Sequence, residues 1–149
     1  MEEIRVVVEM QGDPEQAWEL LSDHAGFKRF PGIVDSRLER EGSPDRNGVG
    51  ALRFLNAGFM QFTEEITAFD APHRYDYQIR ECSLPMEHHG GSVRLEPIPG
   101  GVRVEWTSKL RVPIPFFDWV AGPMAKMAGS EGFRQMLLAV KREVEAKGS

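Results

Sequence analysis

The chain begins with a run in which every second side chain is apolar. The apolar members of this run are Ile4, Val6, Val8 and Met10. A period of two is typical of a strand with one buried face. A helix start follows, because Asp13 can cap the first turn, Pro14 suits the first helical position and Gln16 completes a capping box. A second short helix is predicted before the stop at Pro31-Gly32.

Alternation with a period of two returns after these two helices and continues to Val112. It predicts strands near residues 33–41, 51–56, 60–69, 74–82, 87–96 and 102–112. The separating segments are short and rich in Gly, Pro, Asn and Asp, which favours turns between antiparallel neighbours. With the first strand, we expect seven strands in one sheet.

The C-terminal part of the chain shows helical spacing. Its apolar stripe consists of Phe133, Met136, Leu137, Val140 and Val144, and charged residues cover the opposite side. This pattern predicts a long amphipathic helix. Asp118 can cap it, while Pro123 and Gly129 disfavour a straight first part, so residues 116–129 are predicted to be helical but bent.

Length and composition fit a single globular domain over residues 1–149. Hydrophobic residues make up 41% of the chain, and no apolar run is long enough to cross a bilayer. The acidic N-terminus lacks the features of a signal peptide, so we expect a cytoplasmic location. A net charge of -5 argues against nucleic acid as a partner.

Motifs for cofactor chemistry are missing from the sequence. The single cysteine, Cys82, has no partner for an internal disulfide, and the four histidines lack the spacing of a metal-binding helix motif. There is no phosphate-binding loop, dinucleotide-binding loop or Gly-x-Ser-x-Gly elbow. We therefore predict no cofactor and no metal site.

Several local motifs, spread over nearly the whole chain, carry a family resemblance. They lie at residues 13–23, Phe27, Phe30-Pro31, residues 69–75 and residues 100–106. With the order of the predicted elements, they resemble the SRPBCC superfamily of the polyketide cyclase/dehydrase type, which has the START-related helix-grip fold. The resemblance implies an α+β protein in which a seven-stranded curved antiparallel sheet wraps around a long C-terminal helix, with two short helices after the first strand. It also implies an internal apolar cavity that accepts lipids, polyketides, sterols or aromatic compounds.

Strand alternation predicts which side chains face this cavity, because one face of each strand must meet the C-terminal helix. In the last strand the inward side chains are predicted to be Val102, Val104, Trp106, Ser108 and Leu110. In the other strands they are predicted to be Leu52, Phe54 and Asn56, then Met60, Phe62 and Glu64, then Tyr75, Tyr77 and Ile79, and finally His89, Gly91, Val93 and Leu95.

Aromatic, apolar and thioether side chains suit the wall of such a pocket. The predicted ligand-binding residues are Phe54, Met60, Phe62, Glu64, Tyr77, His89, Val93, Trp106, Ser108, Phe117, Met124, Met127 and Met136. For Phe117, with its neighbours Phe116 and Trp119, we expect either a lid over the entrance or packing at the start of the helix. Core packing is the alternative role for Tyr77 and Trp106 and for at least half of the methionines.

Glu64, His89 and Tyr77 are the candidate catalytic residues. Burial raises the pKa of a glutamate unless a hydrogen bond or cation holds the carboxylate, so Glu64 is predicted to be a general acid/base or an anchor for a ligand hydroxyl. The alternative is that a bulge or Arg53 from the neighbouring strand pairs with Glu64 at the rim. His89 can transfer protons or be structural, and a register shift of one residue replaces it by His88.

Three functions are compatible with these features. The first is binding of a small hydrophobic or aromatic molecule between the sheet and the C-terminal helix. The second is an enzyme of the cyclase, aromatase or dehydratase kind that works without a cofactor and moves protons through the three candidate residues. The third is a protein-interaction module in a stress or ribosome-associated role. We expect a small apolar or aromatic ligand as partner, no integral membrane insertion, and a monomer or homodimer.

Overall fold

The computed structural model describes residues 1–147, in which seven strands form one antiparallel sheet. The strands are β1 (Glu2–Gln11), β2 (Asp35–Arg40), β3 (Leu52–Asn56), β4 (Gln61–Asp70), β5 (Arg74–Cys82), β6 (Glu87–Ile98) and β7 (Gly101–Arg111). The helices are α1 (Pro14–Ser22), a 3₁₀ helix (His24–Arg29) and α2 (Asp118–Lys147). The predicted α+β class, strand number and helix-grip arrangement are confirmed.

The sheet has the order β1-β7-β6-β5-β4-β3-β2. Strands β2 to β7 therefore follow one another as hairpins, and the first strand closes the far edge by pairing with the last one. The β1–β7 register is unbroken from Glu2 opposite Leu110 to Gln11 opposite Gly101. Helix α2 packs along β1, and α1 covers the sheet at one end of α2.

Four register shifts interrupt three of the other strand pairs. They lie between Leu38 and Arg40 in the β2–β3 pair, between Thr63 and Glu64 and between Ile66 and Ala68 in the β4–β5 pair, and between His88 and Gly91 in the β6–β7 pair. Such bulges bend a strand and increase its twist, which gives the sheet the curvature it needs to surround a helix. At the β6 bulge, Gly90 has a φ of 107°, a conformation that side chains disfavour.

The start of α1 follows the sequence prediction. The Asp13 carboxylate accepts a hydrogen bond from the Glu15 amide at 3.0 Å, and Pro14 occupies the first turn. Ala17, Trp18 and Leu21 then face the core. Because these apolar side chains are buried in the core, they hold the short helix against the sheet.

Helix α2 is one element of 30 residues with Pro123 inside its first turns. The Asp118 carboxylate accepts a hydrogen bond from the Trp119 amide at 3.0 Å at the helix start. The C-terminal half contributes Leu137, Val140 and Val144 to the core. Within residues 1–147, no helix is long and apolar enough to cross a membrane.

Candidate functional site

A cavity of about 390 Å³ lies between the sheet and the N-terminal half of α2. This volume falls within the range of roughly 300–1,000 Å³ that is common for small-molecule sites. The walls come from strands β1, β4, β5 and β7, from α2, and from the loops at residues 31–33, 57–60, 84–86 and 112–114. Nearly all of the lining side chains are apolar, so the cavity suits an apolar molecule.

The cavity exists because α2 presents small residues to the sheet over its first half. These residues recur at helical spacing and are Ala121, Ala125, Ala128, Gly129 and Gly132. One turn later the same face carries Phe133 and Met136, which close the cavity, and Leu137 begins the filled core. The change from small to large side chains along one helix therefore sets the length of the cavity.

Glu64 forms a buried ion pair with Arg53 at the cavity wall. The guanidinium of Arg53 is completely buried, and its Nε and Nη2 lie 2.6 and 2.5 Å from the same oxygen, Oε2 of Glu64. Burial raises the pKa of Glu64 above the ordinary glutamate value, and the neighbouring guanidinium opposes this rise. Burial also disfavours the charge on Arg53, but the Glu64 carboxylate raises the pKa of the guanidinium. The pair is therefore ionised, since neither charge is stable in the interior without the other.

Aromatic rings and a histidine surround the guanidinium of Arg53. Its carbon lies 4.4 Å from the centre of the Phe27 ring, and Nη1 lies 3.4 Å from the Tyr75 hydroxyl. That hydroxyl donates a hydrogen bond of 2.7 Å to the Leu21 carbonyl, which ties α1 to the ion pair. Nη1 also lies 3.3 Å from Nδ1 of His24. Strands β3, β4 and β5 and the 3₁₀ helix therefore meet at this one cation, and Tyr75 links α1 to them.

His24 is neutral in this environment. Its Nε2 lies 2.8 Å from the Asn47 carbonyl, which can only accept, so Nε2 carries the proton and Nδ1 accepts from Arg53. Burial, and then the charge of Arg53, lower the pKa of His24 to about 3. A second proton on this ring would lie directly against the guanidinium.

Tyr77 is the second polar group of the cavity, and Trp106 and His88 hold it in place. The Trp106 indole Nε1–H donates to the Tyr77 hydroxyl at 2.7 Å, and the His88 ring stacks on the Tyr77 ring with 5.5 Å between their centres. His88 Nε2 lies 2.9 Å from Ser108 Oγ, while His88 Nδ1 accepts from the Ile79 amide at 3.0 Å. Burial lowers the pKa of His88 to about 4, and burial raises the pKa of Tyr77. Both rings are therefore neutral near pH 7.

Some of the predicted ligand-binding residues line the cavity. These are Met60, Phe62, Glu64, Tyr77, Ser108 and Met136. Val93 and Trp106 point to the same side of the sheet but belong to the packed core, beside the cavity. The alternation of apolar and polar side chains therefore correctly predicted which side chains of β4, β5 and β7 point inward.

The prediction that His89 faces the cavity is wrong. Its side chain is 45% exposed and lies 3.9 Å from the Glu87 carboxylate on the outer face. The bulge at Gly90 shifts the register of β6, so His88 takes the inner position and contacts Tyr77 and Ser108. The three predicted proton-transfer residues consequently do not converge, because only Glu64 and Tyr77 line the cavity.

The prediction that Phe54 points inward is also wrong. The outer face of β3 carries this ring, with the Arg37 guanidinium 4.2 Å from its centre. Arg53 and Leu55 are the buried residues of the strand. An arginine inside is unexpected from polarity, and it is stable only because Glu64 lies opposite it in the β3–β4 register. The pair predicted at the rim is thus fully interior.

Three predicted ligand-binding residues near the start of α2 do not line the cavity. Phe117, Met124 and Met127 are 63%, 65% and 74% exposed, respectively. The small residues of α2 occupy the inner face, so the two methionines lie on its flank, and Phe117 precedes the helix. Phe116 and Trp119 are exposed as well, and neither lines the cavity.

Sequence reasoning missed the small-residue face of α2 and the lining loops. The spacing of the alanines and glycines in α2 was a usable signal, but the glycines alone were interpreted as helix breakers. The loop residues, among them Ile33, Phe59, Leu84 and Ile114, follow no periodic pattern. Only the folded chain brings them to the cavity.

Comparison with known proteins agrees with this architecture. The family described as polyketide cyclase / dehydrase and lipid transport matches residues 1–145. An uncharacterized protein of Mycobacterium tuberculosis is 26% identical over 147 residues, which cover 96% of this chain and 84% of the relative. These matches extend over nearly the whole sequence, as the predicted resemblance does.

Solved structures show the same fold at low sequence identity. A protein from Thermus thermophilus is 19% identical with a TM-score of 0.81, covering 99% of this chain and 100% of that one. A START superfamily protein from Mycobacterium smegmatis is 15% identical with a TM-score of 0.75 and 97% coverage of both chains. The predicted relationship is confirmed, and the chain belongs to the polyketide cyclase/dehydrase and lipid transport family.

Proposed function

We propose that the protein binds a small apolar or aromatic molecule in the cavity between the sheet and α2. The observation that carries this proposal is an apolar space of about 390 Å³ beneath the alanine and glycine face of α2. An unfilled apolar space lowers the stability of a protein, because its lining loses packing contacts. A ligand of matching shape restores those contacts, which supports binding as the role of the cavity.

The polar groups of the cavity support binding better than proton transfer. Glu64 is held by Arg53 through two short contacts, so its carboxylate is a poor general base. The raised pKa of Tyr77 keeps the phenol protonated near neutral pH. His88 makes a hydrogen bond through each ring nitrogen and has a pKa of about 4, far from the value that suits a base at pH 7.

Filling the cavity from α2 is expected to weaken binding without unfolding the protein. Gly132 lines the cavity, and a Cβ added there would meet nothing within 4 Å. We expect Gly132→Leu to weaken the binding of naphthalene by at least about tenfold, since its side chain occupies the ligand volume. Isothermal titration calorimetry measures the affinity. Leucine also has a better helix propensity than glycine, so the melting temperature should not fall.

The matched control is Gly132→Ala, which adds a single methyl group at the same position. It should bind naphthalene nearly as well as the original chain and be more stable by about 0.5–1 kcal/mol. Equal affinity in all three proteins would mean that naphthalene binds elsewhere, and absence of binding in all of them would contradict the proposed function. Native mass spectrometry of the protein purified from its own host would identify a retained molecule.

A further inference from the structure

The hydrogen bonds around Tyr77 determine where its hydroxyl proton points. The Ile79 amide donates to Nδ1 of His88, so the proton of this ring is on Nε2 and is donated to Ser108 Oγ. Ser108 Oγ is therefore already the acceptor for His88. The Trp106 indole N–H, which can only donate, contacts the phenolic oxygen of Tyr77.

The Tyr77 oxygen therefore accepts from Trp106, and its own O–H is left to donate. Within residues 1–147 this O–H donates no hydrogen bond, and Tyr77 lines the cavity. A buried hydroxyl without an acceptor is unfavourable. The cavity consequently presents one hydrogen-bond donor to a ligand.

Glu64 supplies the complementary acceptor. Both close contacts from Arg53 go to Oε2, and the part of the chain that the structure describes gives no donor to Oε1. Glu64 also lines the cavity. As an ionised carboxylate it can only accept, and its charge is already balanced by Arg53.

We infer that the ligand carries a neutral hydroxyl group that accepts a hydrogen bond from Tyr77 and donates one to Glu64. This inference rests on the proposed function and adds the chemical class of the ligand, an apolar or aromatic alcohol or phenol. A ketone would accept from Tyr77 but leave Glu64 Oε1 without a donor. A carboxylate would place a second negative charge in a site whose cation is already paired.

The ligand series that tests this inference keeps one aromatic body and changes only its polar group. At pH 7 we expect naphthol to bind at least about tenfold more tightly than naphthalene, because it satisfies both the donor and the acceptor. Methoxynaphthalene accepts but cannot donate, so it should bind more weakly than naphthol. Naphthoate should bind more weakly than naphthalene. Calorimetric titration of the full chain measures all four affinities.

Tyr77→Phe removes the donor from the protein side, and Tyr75→Phe is the matched control. Both tyrosines are buried, but the hydroxyl of Tyr75 donates to the Leu21 carbonyl outside the cavity. The preference for naphthol over naphthalene should fall below about threefold in Tyr77→Phe and be unchanged in Tyr75→Phe. Circular dichroism of both variants confirms that each is folded at the assay temperature.

The two proposals fail in different ways in this experiment. If naphthalene binds and naphthol binds no better, the hydroxyl assignment is overturned while the apolar site stands. Equal affinity of methoxynaphthalene and naphthol would exclude Glu64 as the acceptor and overturn the inference as well. If Tyr77→Phe still binds naphthol at least about threefold more tightly than naphthalene, Tyr77 is not the donor, and the inference is overturned. If no member of the series binds, the proposed function itself fails.

Discussion

Replacing Glu64 by alanine is expected to lower the free energy of unfolding by about 3–5 kcal/mol. The reason is the guanidinium of Arg53, which is completely buried and has its only carboxylate contact with Glu64 among the described residues. Arginine does not lose its proton in proteins, so the variant leaves an unpaired charge in the core. Urea unfolding monitored by tryptophan fluorescence measures the loss.

Glu65→Ala provides a control one residue along the same strand. Glu65 pairs with Arg40 and Arg80 at 3.5 and 2.9 Å on the outer face, where water screens the charges. We expect a loss below about 1 kcal/mol for this variant. A similar loss for both variants would show that the interior position of Glu64 has no special importance.

A double variant separates the buried charge from the packing of the pair. Arg53→Met combined with Glu64→Leu removes both charges and keeps apolar volume in their place. We expect the double variant to regain most of the free energy of unfolding that Glu64→Ala loses. A buried ion pair can often be replaced by apolar side chains of similar volume without loss of stability. Further destabilisation in the double variant would instead assign the loss to packing against Phe27 and Tyr75.

Lowering the pH from 7 to 5 is expected to remove about 2 kcal/mol of stability through His24 alone. Its pKa is about 3 in the folded protein, compared with an ordinary value of 6.5. Between these two values the unfolded chain binds a proton that the folded chain does not bind. The contribution of His24 to the free energy of unfolding is therefore fully present above pH 6.5 and decreases as the pH falls toward 3. Denaturant midpoints measured across this window report the effect.

His24→Gln is the variant that isolates this contribution. Its amide can donate to the Asn47 carbonyl as Nε2 of His24 does, but it does not titrate. Between pH 7 and 5, the free energy of unfolding should fall by about 2 kcal/mol less in this variant than in the original chain. His88, whose pKa is also lowered, acts with the same sign in both proteins and cancels in the comparison. Parallel pH profiles would refute the assignment to His24.

The regular strands explain why much of the site could be predicted from the sequence. Alternation in β7 is uninterrupted, and its register with β1 is continuous, so Trp106 and Ser108 lie on the predicted face. The same holds for Tyr75 and Tyr77 in β5, which are both buried. Each of these strands has one apolar face, and a side-chain period of two then leaves a single orientation that buries it.

The errors occur where a non-local contact overrides the local pattern. In β6 a single extra residue at the bulge exchanges His88 and His89 between the two faces. In β3 the buried residue is Arg53, which is stable inside because Glu64 lies on the next strand. Polarity along one strand carries no information about such a partner, so Phe54 was assigned to the wrong face.

Periodicity and the local turn and cap residues predicted the order of elements, the seven strands and the long C-terminal helix. The family followed from the resemblance carried by the motifs at residues 13–23, 69–75 and 100–106. The cavity and its polar end, in contrast, emerge only in the folded chain. The cavity depends on which face of α2 meets the sheet, and its donor and acceptor depend on hydrogen bonds between strands that are far apart in sequence. Such contacts arise from packing of the whole chain, which no local pattern encodes.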